Sequence, residues 1–182
     1  GHPMNLTETY QKERLDELKN LYETAFPESE QKPFELMLKK REEGDAEILS
    51  IEEGGAFLGL AIVVSQGDLA LLDYFAVSPQ HRGGGVGGEA FEMLKERYAK
   101  KRFFIEIEDT QLAAGNSEQR LRRKAFYLRH GMKPLPFKVD LFGVDMELLT
   151  ASRPLTFEEY HALYRGVFGP GIASRIKRRE QA

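Results

Sequence analysis

The segment Leu71-Leu72-Asp73-Tyr74-Phe75-Ala76-Val77-Ser78-Pro79-Gln80-His81-Arg82-Gly83-Gly84-Gly85-Val86-Gly87-Gly88 passes from an apolar strand, through a loop with five glycines in six positions, into a helix. Glycine adopts backbone conformations that other residues avoid, so a run of it lets successive N–H groups point into one concavity. The helix that follows adds its N-terminal partial positive charge, and Arg82 adds a full charge at the mouth. Such a turn suits an anionic phosphate. The bland alternative is a flexible surface loop, but five glycines cost too much conformational entropy to be expected there without a purpose.

Two general phosphate-binding schemes can be weighed against these residues. The Walker pattern needs Lys-Ser or Lys-Thr after its last glycine, whereas this chain has Gly88-Glu89-Ala90, which argues against an ATPase or GTPase. The dinucleotide fingerprint G-x-G-x-x-G is met literally by Gly83, Gly85 and Gly88, with Glu106 or Glu108 roughly 20 residues on, where a ribose-binding acid belongs. Against that scheme, six residues, Ser78 to Gly83, separate Val77 from Gly84. The upstream strands also read as a meander, and too little chain follows for a doubly wound sheet.

The elements that would position this turn are legible from periodicity. Leu15, Leu18, Leu21, Tyr22 and Ala25 recur at helical spacing between Thr7 and Phe26, and Pro27 ends the stripe. After the polar linker Glu28 to Lys32, Pro33 opens a second helix over Phe34 to Glu43, closed by Gly44. Ala46–Ile51, Ala56–Ser65 and Leu69–Val77 are apolar runs parted by turn residues, an antiparallel meander. A helix over Glu89–Lys101, a strand over Arg102–Glu108, a loop over Asp109–Ser117 and a helix over Glu118–His130 stopped by Gly131 follow. Val139 to Leu149 reads as a strand or hairpin around Gly143. Beyond Thr150, Thr156-Phe157-Glu158-Glu159 has capping-box spacing and opens a helix to Phe168, and Arg175 to Arg179 reads as a solvated basic tail.

Composition narrows the classes. The chain has 182 residues, 41% of them hydrophobic and 30% charged, with formal net charge -3 and no cysteine. That length can bury about 70% of the unfolded surface, enough for a single domain without disulfides or structural metal. The lack of cysteine removes disulfide frameworks, thiolate metal sites and cysteine nucleophiles, and agrees with a reducing cytoplasm. With 26 basic against 29 acidic residues there is no basic field to hold nucleic acid. No apolar run reaches the roughly 20 residues of a membrane span, and Gly1 to Pro3 ahead of Met4 read as a remnant of recombinant expression rather than a signal peptide. His81 and His130 lack metal-ligand spacing, and no G-x-S-x-G elbow of a serine hydrolase is present.

Val77-x-Pro79-x-x-Arg82-Gly83-x-Gly85-Val86-Gly87 resembles the acyl-CoA pyrophosphate loop of the GNAT acetyltransferases. Ala125-Phe126-Tyr127-Leu128-Arg129-His130-Gly131-Met132 resembles their second hallmark, an aromatic-Tyr pair near the end of the last core helix followed by Gly. The element order agrees, and the resemblance covers roughly Leu6 to Leu149. It implies a mixed α/β fold with a mostly antiparallel central sheet flanked by helices over residues 4–150, followed by a C-terminal helical extension and basic tail over 151–182.

The resemblance also implies a site. Phe75, Ala76 and Val77 would bond the pantetheine arm of acetyl-CoA, and Arg82, Gly83, Gly84, Gly85, Val86, Gly87 and Gly88 would cradle the pyrophosphate, with Phe126 beside the cofactor. An amine would attack the thioester directly, without a covalent enzyme intermediate and without a metal. Tyr127 would be general acid or hydrogen-bond donor to the CoA sulfur, unless it is a core aromatic on the face of Leu121, Lys124 and Leu128. Glu106, Glu108 or Asp73 would take the amine proton, and an acidic wall of the three would favour a cationic acceptor. Glu106 and Glu108 read equally well as a solvent-facing row. Glu30 and Phe34, between the first two helices, are candidates for acceptor binding. One departure stands out: where many relatives carry Asn, seven residues before the Tyr, this chain has Arg120, followed by Arg122, Arg123 and Lys124. That cluster would meet CoA phosphates or coat the helix.

The expected activity is acetylation of an amine on a small or peptidic cation, in the cytoplasm, with no nucleic-acid or membrane partner. The acceptor, the acyl-chain preference and a homodimer are left open. The rivals are a non-catalytic acyl-CoA-binding or regulatory module of the same fold and, less favoured, an NAD-type dinucleotide-binding protein.

Overall fold

The computed structural model describes residues 3–111 and 115–179. Residues 112–114 of the expected loop Asp109–Ser117, residues 1–2 and residues 180–182 of the C-terminal extension lie outside the described residues. In chain order the elements are β1 (Met4–Glu8), α1 (Lys12–Ala25), a 3-10 turn, α2 (Phe34–Glu42), β2 (Ala46–Glu53), β3 (Ala56–Gln66), β4 (Leu69–Val77), a second 3-10 turn and α3 (Val86–Arg97). There follow β5 (Arg102–Glu108), α4 (Ser117–Arg129), β6 (Lys133–Leu141), β7 (Val144–Thr150), α5 (Phe157–Phe168), α6 (Pro170–Ala173) and β8 (Ile176–Arg179).

The strands form an eight-stranded sheet in the order β1-β2-β3-β4-β5-β7-β6-β8. The pairs β1–β2, β2–β3, β5–β7, β6–β7 and β6–β8 are antiparallel. This is the mixed, mostly antiparallel α/β fold that the sequence implies, and not the parallel doubly wound sheet of a dinucleotide fold. The chain divides into two compact units, Gly1–Val64 with Leu72–Arg97, and Ser65–Leu71 with Tyr98–Ala182.

In the first unit the apolar stripe of α1 buries Leu18, Leu21 and Tyr22, and α2 buries Phe34 and Met37. β2 and β3 read as near-continuous apolar runs because both faces are covered: Ile48, Leu49, Ile51, Leu60, Ala61, Ile62 and Val64 are all inaccessible to solvent. β1 was not expected as a strand. Asn5 and Thr7 alternate with Leu6 over a stretch too short to signal itself, and pairing with Leu49 to Glu53 makes it a strand.

In the second unit, β6 and β7 form the hairpin expected around Gly143. Phe142 (φ 54) and Gly143 (φ 87) both take the left-handed conformation that a two-residue hairpin turn demands, and Asp140 Oδ1 accepts the Gly143 N–H at 2.7 Å. α5 starts at the predicted capping box, Thr156 with Glu159, and buries Tyr160, Leu163, Tyr164 and Val167, one stripe at helical spacing. Arg175, Lys177 and Arg178 are exposed, as a solvated charge run would be, but the tail is ordered. Ile176–Arg179 is a strand paired with β6, and Arg179 bridges Asp109 at 2.8 Å and Asp145 at 3.2 Å. Local sequence could not show this, because the partners lie far back in the chain.

Candidate functional site

The glycine turn lies within the first unit. Gly83 (φ +85) and Gly85 (φ +80) occupy the left-handed region, and a Cβ at either would meet nothing within 4 Å. Glycine is required there by backbone conformation rather than by crowding. The first helical bond of α3 runs from the Glu89 N–H to the Gly85 carbonyl at 3.1 Å, so the N–H groups of Val86, Gly87 and Gly88 have no carbonyl within the helix to meet. Arg82 is exposed, and its Nε donates to the Val77 carbonyl at 3.1 Å.

The strand leading into the turn is held from one side. The Ser78 N–H donates to the Leu58 carbonyl at 2.8 Å, and a Cβ on Gly59 would stand 2.5 Å from the Ala76 carbonyl oxygen. β3 and the end of β4 therefore approach as closely as glycine permits. Phe75, Ala76 and Val77 are half-buried, with Phe75 packed on Phe91 at a centroid distance of 6.0 Å.

The α1–α2 connection is pinned to β4 rather than being a plain linker. The Tyr22 hydroxyl donates to the Lys32 carbonyl at 2.5 Å, the Lys32 N–H to the Tyr74 hydroxyl at 3.0 Å, and the Tyr74 hydroxyl to the Glu30 carbonyl at 2.7 Å. Lys32 Nζ meets both oxygens of Asp73, at 3.1 and 2.8 Å, with both side chains buried. Burial raises the Tyr22 phenol well above its usual range, aided by Tyr74 and Asp73. Asp73 is thus the counter-ion of an internal lysine. Phe34, expected to bind an acceptor, is buried against Tyr22 at 5.5 Å and belongs to the core. Glu30 remains half-buried on the connection.

In the second unit, Tyr127 sits on the buried side of α4. Leu121 and Leu128 are exposed at 54% and 44%, so Tyr127, although buried, does not share a face with them as the core-aromatic alternative supposed. Burial pushes its phenol up to about 12 against a lowering pull from Arg123, which keeps it protonated at neutral pH. Phe126, half-buried, packs on Tyr127 and His130. Gly131 (φ +84) ends the helix, its N–H donating to the Leu128 carbonyl at 3.1 Å.

The carboxylates on β5 differ from a bare acidic row. Glu108 is paired with Arg120 at 2.7 Å and Arg123 at 3.6 Å. Glu106 Oε2 accepts the phenols of Tyr160 at 2.5 Å and Tyr164 at 2.6 Å. Asp73 and Glu108 are each in an ion pair, so neither stands as a bare negative charge. Arg120 and Lys124 do more than coat α4: Arg120 also donates to the Asp109 carbonyl, and Lys124 meets Glu147 at 2.7 Å. Among the described residues, no group of three or more His, Asp and Glu could hold a metal ion, and no helix is long and apolar enough to cross a membrane.

Sequence reasoning missed Lys32, Tyr160 and Tyr164. Nothing local marks a lysine in a polar linker for burial. The two tyrosines, by contrast, stand on the apolar stripe of a helix whose capping box was readable, and only their polar ends carry the unexpected contact.

The model of the acetyltransferase (GNAT) family matches residues 15–132, more than half of the chain, and the chain belongs to that family. A protein described as a GNAT-family acetyltransferase from Bacteroides thetaiotaomicron shares the fold with TM-score 0.76 at 21% identity, over 92% of this chain and 98% of that one. A Bacillus subtilis acetyltransferase in complex with CoA matches with TM-score 0.59 at 15% identity, over 85% and 100%. An aminoglycoside 6'-N-acetyltransferase complexed with coenzyme A matches with TM-score 0.63 at 12% identity, over 85% and 99%. No curated protein matches the sequence.

Proposed function

We propose that this chain transfers the acetyl group of acetyl-CoA to an amine of a small or peptidic cationic acceptor. The observation that carries the reading is the strand–helix junction at Gly83 and Gly85, left-handed glycines that leave three helix N–H groups and the Arg82 guanidinium for an anion. Bound CoA in the Bacillus subtilis and aminoglycoside relatives supports the same cofactor here.

In this reading Phe75, Ala76 and Val77 hold the pantetheine arm and Arg82 to Gly88 the pyrophosphate, with Phe126 beside the cofactor. Glu106 takes one proton of the acceptor ammonium, directly or through a water, and the freed amine attacks the thioester carbon. The C–S bond breaks with CoA thiolate leaving, and the nitrogen gives up its second proton to solvent as the amide forms. We choose Glu106 for the two phenols, of Tyr160 and Tyr164, that hold its carboxylate oxygen on β5. A phenol is a weaker acid than a thiol, and burial pushes the Tyr127 pKa further up, to about 12, so full proton transfer to the thiolate is uphill. Tyr127 therefore acts as a hydrogen-bond donor that steadies the developing sulfur charge, and solvent supplies the final proton. Glu30 lines the acceptor side, and the reaction runs in the cytoplasm.

The ion pairs on Asp73 and Glu108 favour one rival, a binding module of the same fold that does not turn over. Calorimetric titration with acetyl-CoA, CoA and NAD, followed by thiol-release assays over a panel of polyamines and N-terminal peptides, tests both. Binding of acetyl-CoA with amine-dependent thiol release is the expected result. Binding without release across the panel points to the module, and binding of NAD alone overturns both.

A further inference from the structure

Tyr160 and Tyr164 stand four residues apart on α5, both with rings fully buried, and both aim their hydroxyls at one oxygen of Glu106. The family match ends at Met132, so this pair reaches Glu106 from a segment outside it. Two phenols need only one acceptor each to be satisfied. Spending both on a single oxygen of a half-buried carboxylate fixes that carboxylate's rotamer more than it helps the tyrosines.

α5 itself is set firmly. Its first turn is capped by Thr156 and Glu159, and Arg102, at the start of β5, joins Glu159 at 2.7 Å to Asp68 at 2.8 Å. Farther along, the Gln66 side-chain amide occupies the space that a Cβ on Gly166 would take. The ring of Tyr160 packs on Phe104, two residues before Glu106 on the same strand, and on Tyr164. The neighbouring charges of this unit are engaged elsewhere: Glu108 with Arg120 and Arg123, Arg102 with Asp68 and Glu159, Glu147 of β7 with Lys124, and His161 with the Ala173 carbonyl.

We infer that Tyr160 and Tyr164 are positioning residues that hold the Glu106 carboxylate in the orientation from which it receives the acceptor's ammonium. The inference rests on the reading of Glu106 as the group that takes the amine proton. The C-terminal helix is then part of the acceptor machinery rather than an appendage.

The test uses the full chain with Tyr160→Phe, Tyr164→Phe, the double variant, and Glu106→Gln. With 13C-glutamate labelling, the carboxylate infrared band missing from Glu106→Gln identifies Glu106. That band is expected to move in each Phe variant and further in the double, at thermal midpoints that confirm folding. In thiol-release assays with spermidine and alanine amide, loss of one charge-assisted hydrogen bond is expected to raise the amine KM about tenfold, with the acetyl-CoA KM unchanged. An unmoved Glu106 band in the folded single variants, or equal rises in both KM values, overturns the inference. Wild-type turnover by Glu106→Gln overturns instead the reading on which it rests, whatever the band does.

Discussion

The Nε of Arg82 donates to the carbonyl of Val77 at 3.1 Å, tying the guanidinium to the strand that precedes the glycine turn. One N–H of the fork is thus used to fix the side chain, and the terminal nitrogens keep the paired geometry that suits a phosphate. Arg82→Ala is expected to weaken CoA binding by about tenfold to a hundredfold, as loss of a charge-assisted contact does. The loss should be larger at low salt, because screening weakens an exposed pair. Calorimetry at two salt concentrations checks it, and affinity that ignores both the substitution and the salt removes the phosphate role.

Tyr127→Phe keeps the buried ring and deletes the donor. CoA affinity should hold, while turnover falls by about a hundredfold or more, the range of a single proton-handling or donor group. With its pKa raised to about 12, Tyr127 stays protonated through neutral pH and gives no alkaline limb until the pH approaches that value. A variant that turns over at the wild-type rate removes Tyr127 from the mechanism.

Gly59→Ala tests the close approach of β3 to the end of β4, the strand proposed to hold the pantetheine arm. The new Cβ would stand 2.5 Å from the Ala76 carbonyl oxygen and 3.2 Å from the Val77 Cα, backbone atoms that cannot swing aside. A cost of about 1–3 kcal/mol is expected from such overpacking, together with weaker CoA binding. Gly166→Ala is the contrast, since its neighbour is the free end of Gln66, which can move. Thermal melts of the two variants should separate clearly.

Asp109 is buried, and burial alone would raise its pKa. Arg179, the Gln111 N–H and Lys138 overcome this and hold it down to about 2, below the 3.8 of a free aspartate. A depressed carboxylate contributes stability that is present above its unfolded value and lost as the pH falls toward the folded one. The contribution is about 2 kcal/mol at neutral pH, fading between about pH 4 and pH 2. Urea melts of Asp109→Asn against wild type should show a gap of at least that size at pH 7, closing toward pH 2. A gap that stays constant with pH would mean the loss is packing alone.

Much of this fold could be read in advance where local chemistry decides the outcome. The bounds of β4 and β5, the start of α2 at Pro33 and the capping box of α5 were all visible, because apolar periodicity, proline and paired capping side chains act over a few residues. β8 was not, since nothing local pairs Ile176–Arg179 with β6 or shows that Arg179 meets Asp109 and Asp145. The glycine turn was readable for a related reason: five glycines are a backbone requirement written into composition. The carboxylates were readable only as candidates. Whether Asp73, Glu106 or Glu108 is free to act depends on Lys32, Tyr160, Tyr164 and Arg120, and no spacing rule couples those positions to them.

The span of chain between partners in the second unit also sets an order in time. Tyr160 and Tyr164 lie 54 and 58 residues from Glu106, and Arg179 lies 70 from Asp109. The α1–α2 connection, by contrast, closes Tyr22 onto Lys32 over 10 residues. Contacts between distant segments form late, because their loop entropy must be met before they return anything. Glu106 should therefore stay unheld until α5 docks near the end of folding, so that acetylation competence appears after most secondary structure. In refolding followed by pulsed hydrogen exchange, amides of α5 and β8 are expected to gain protection after those of β2 and β3.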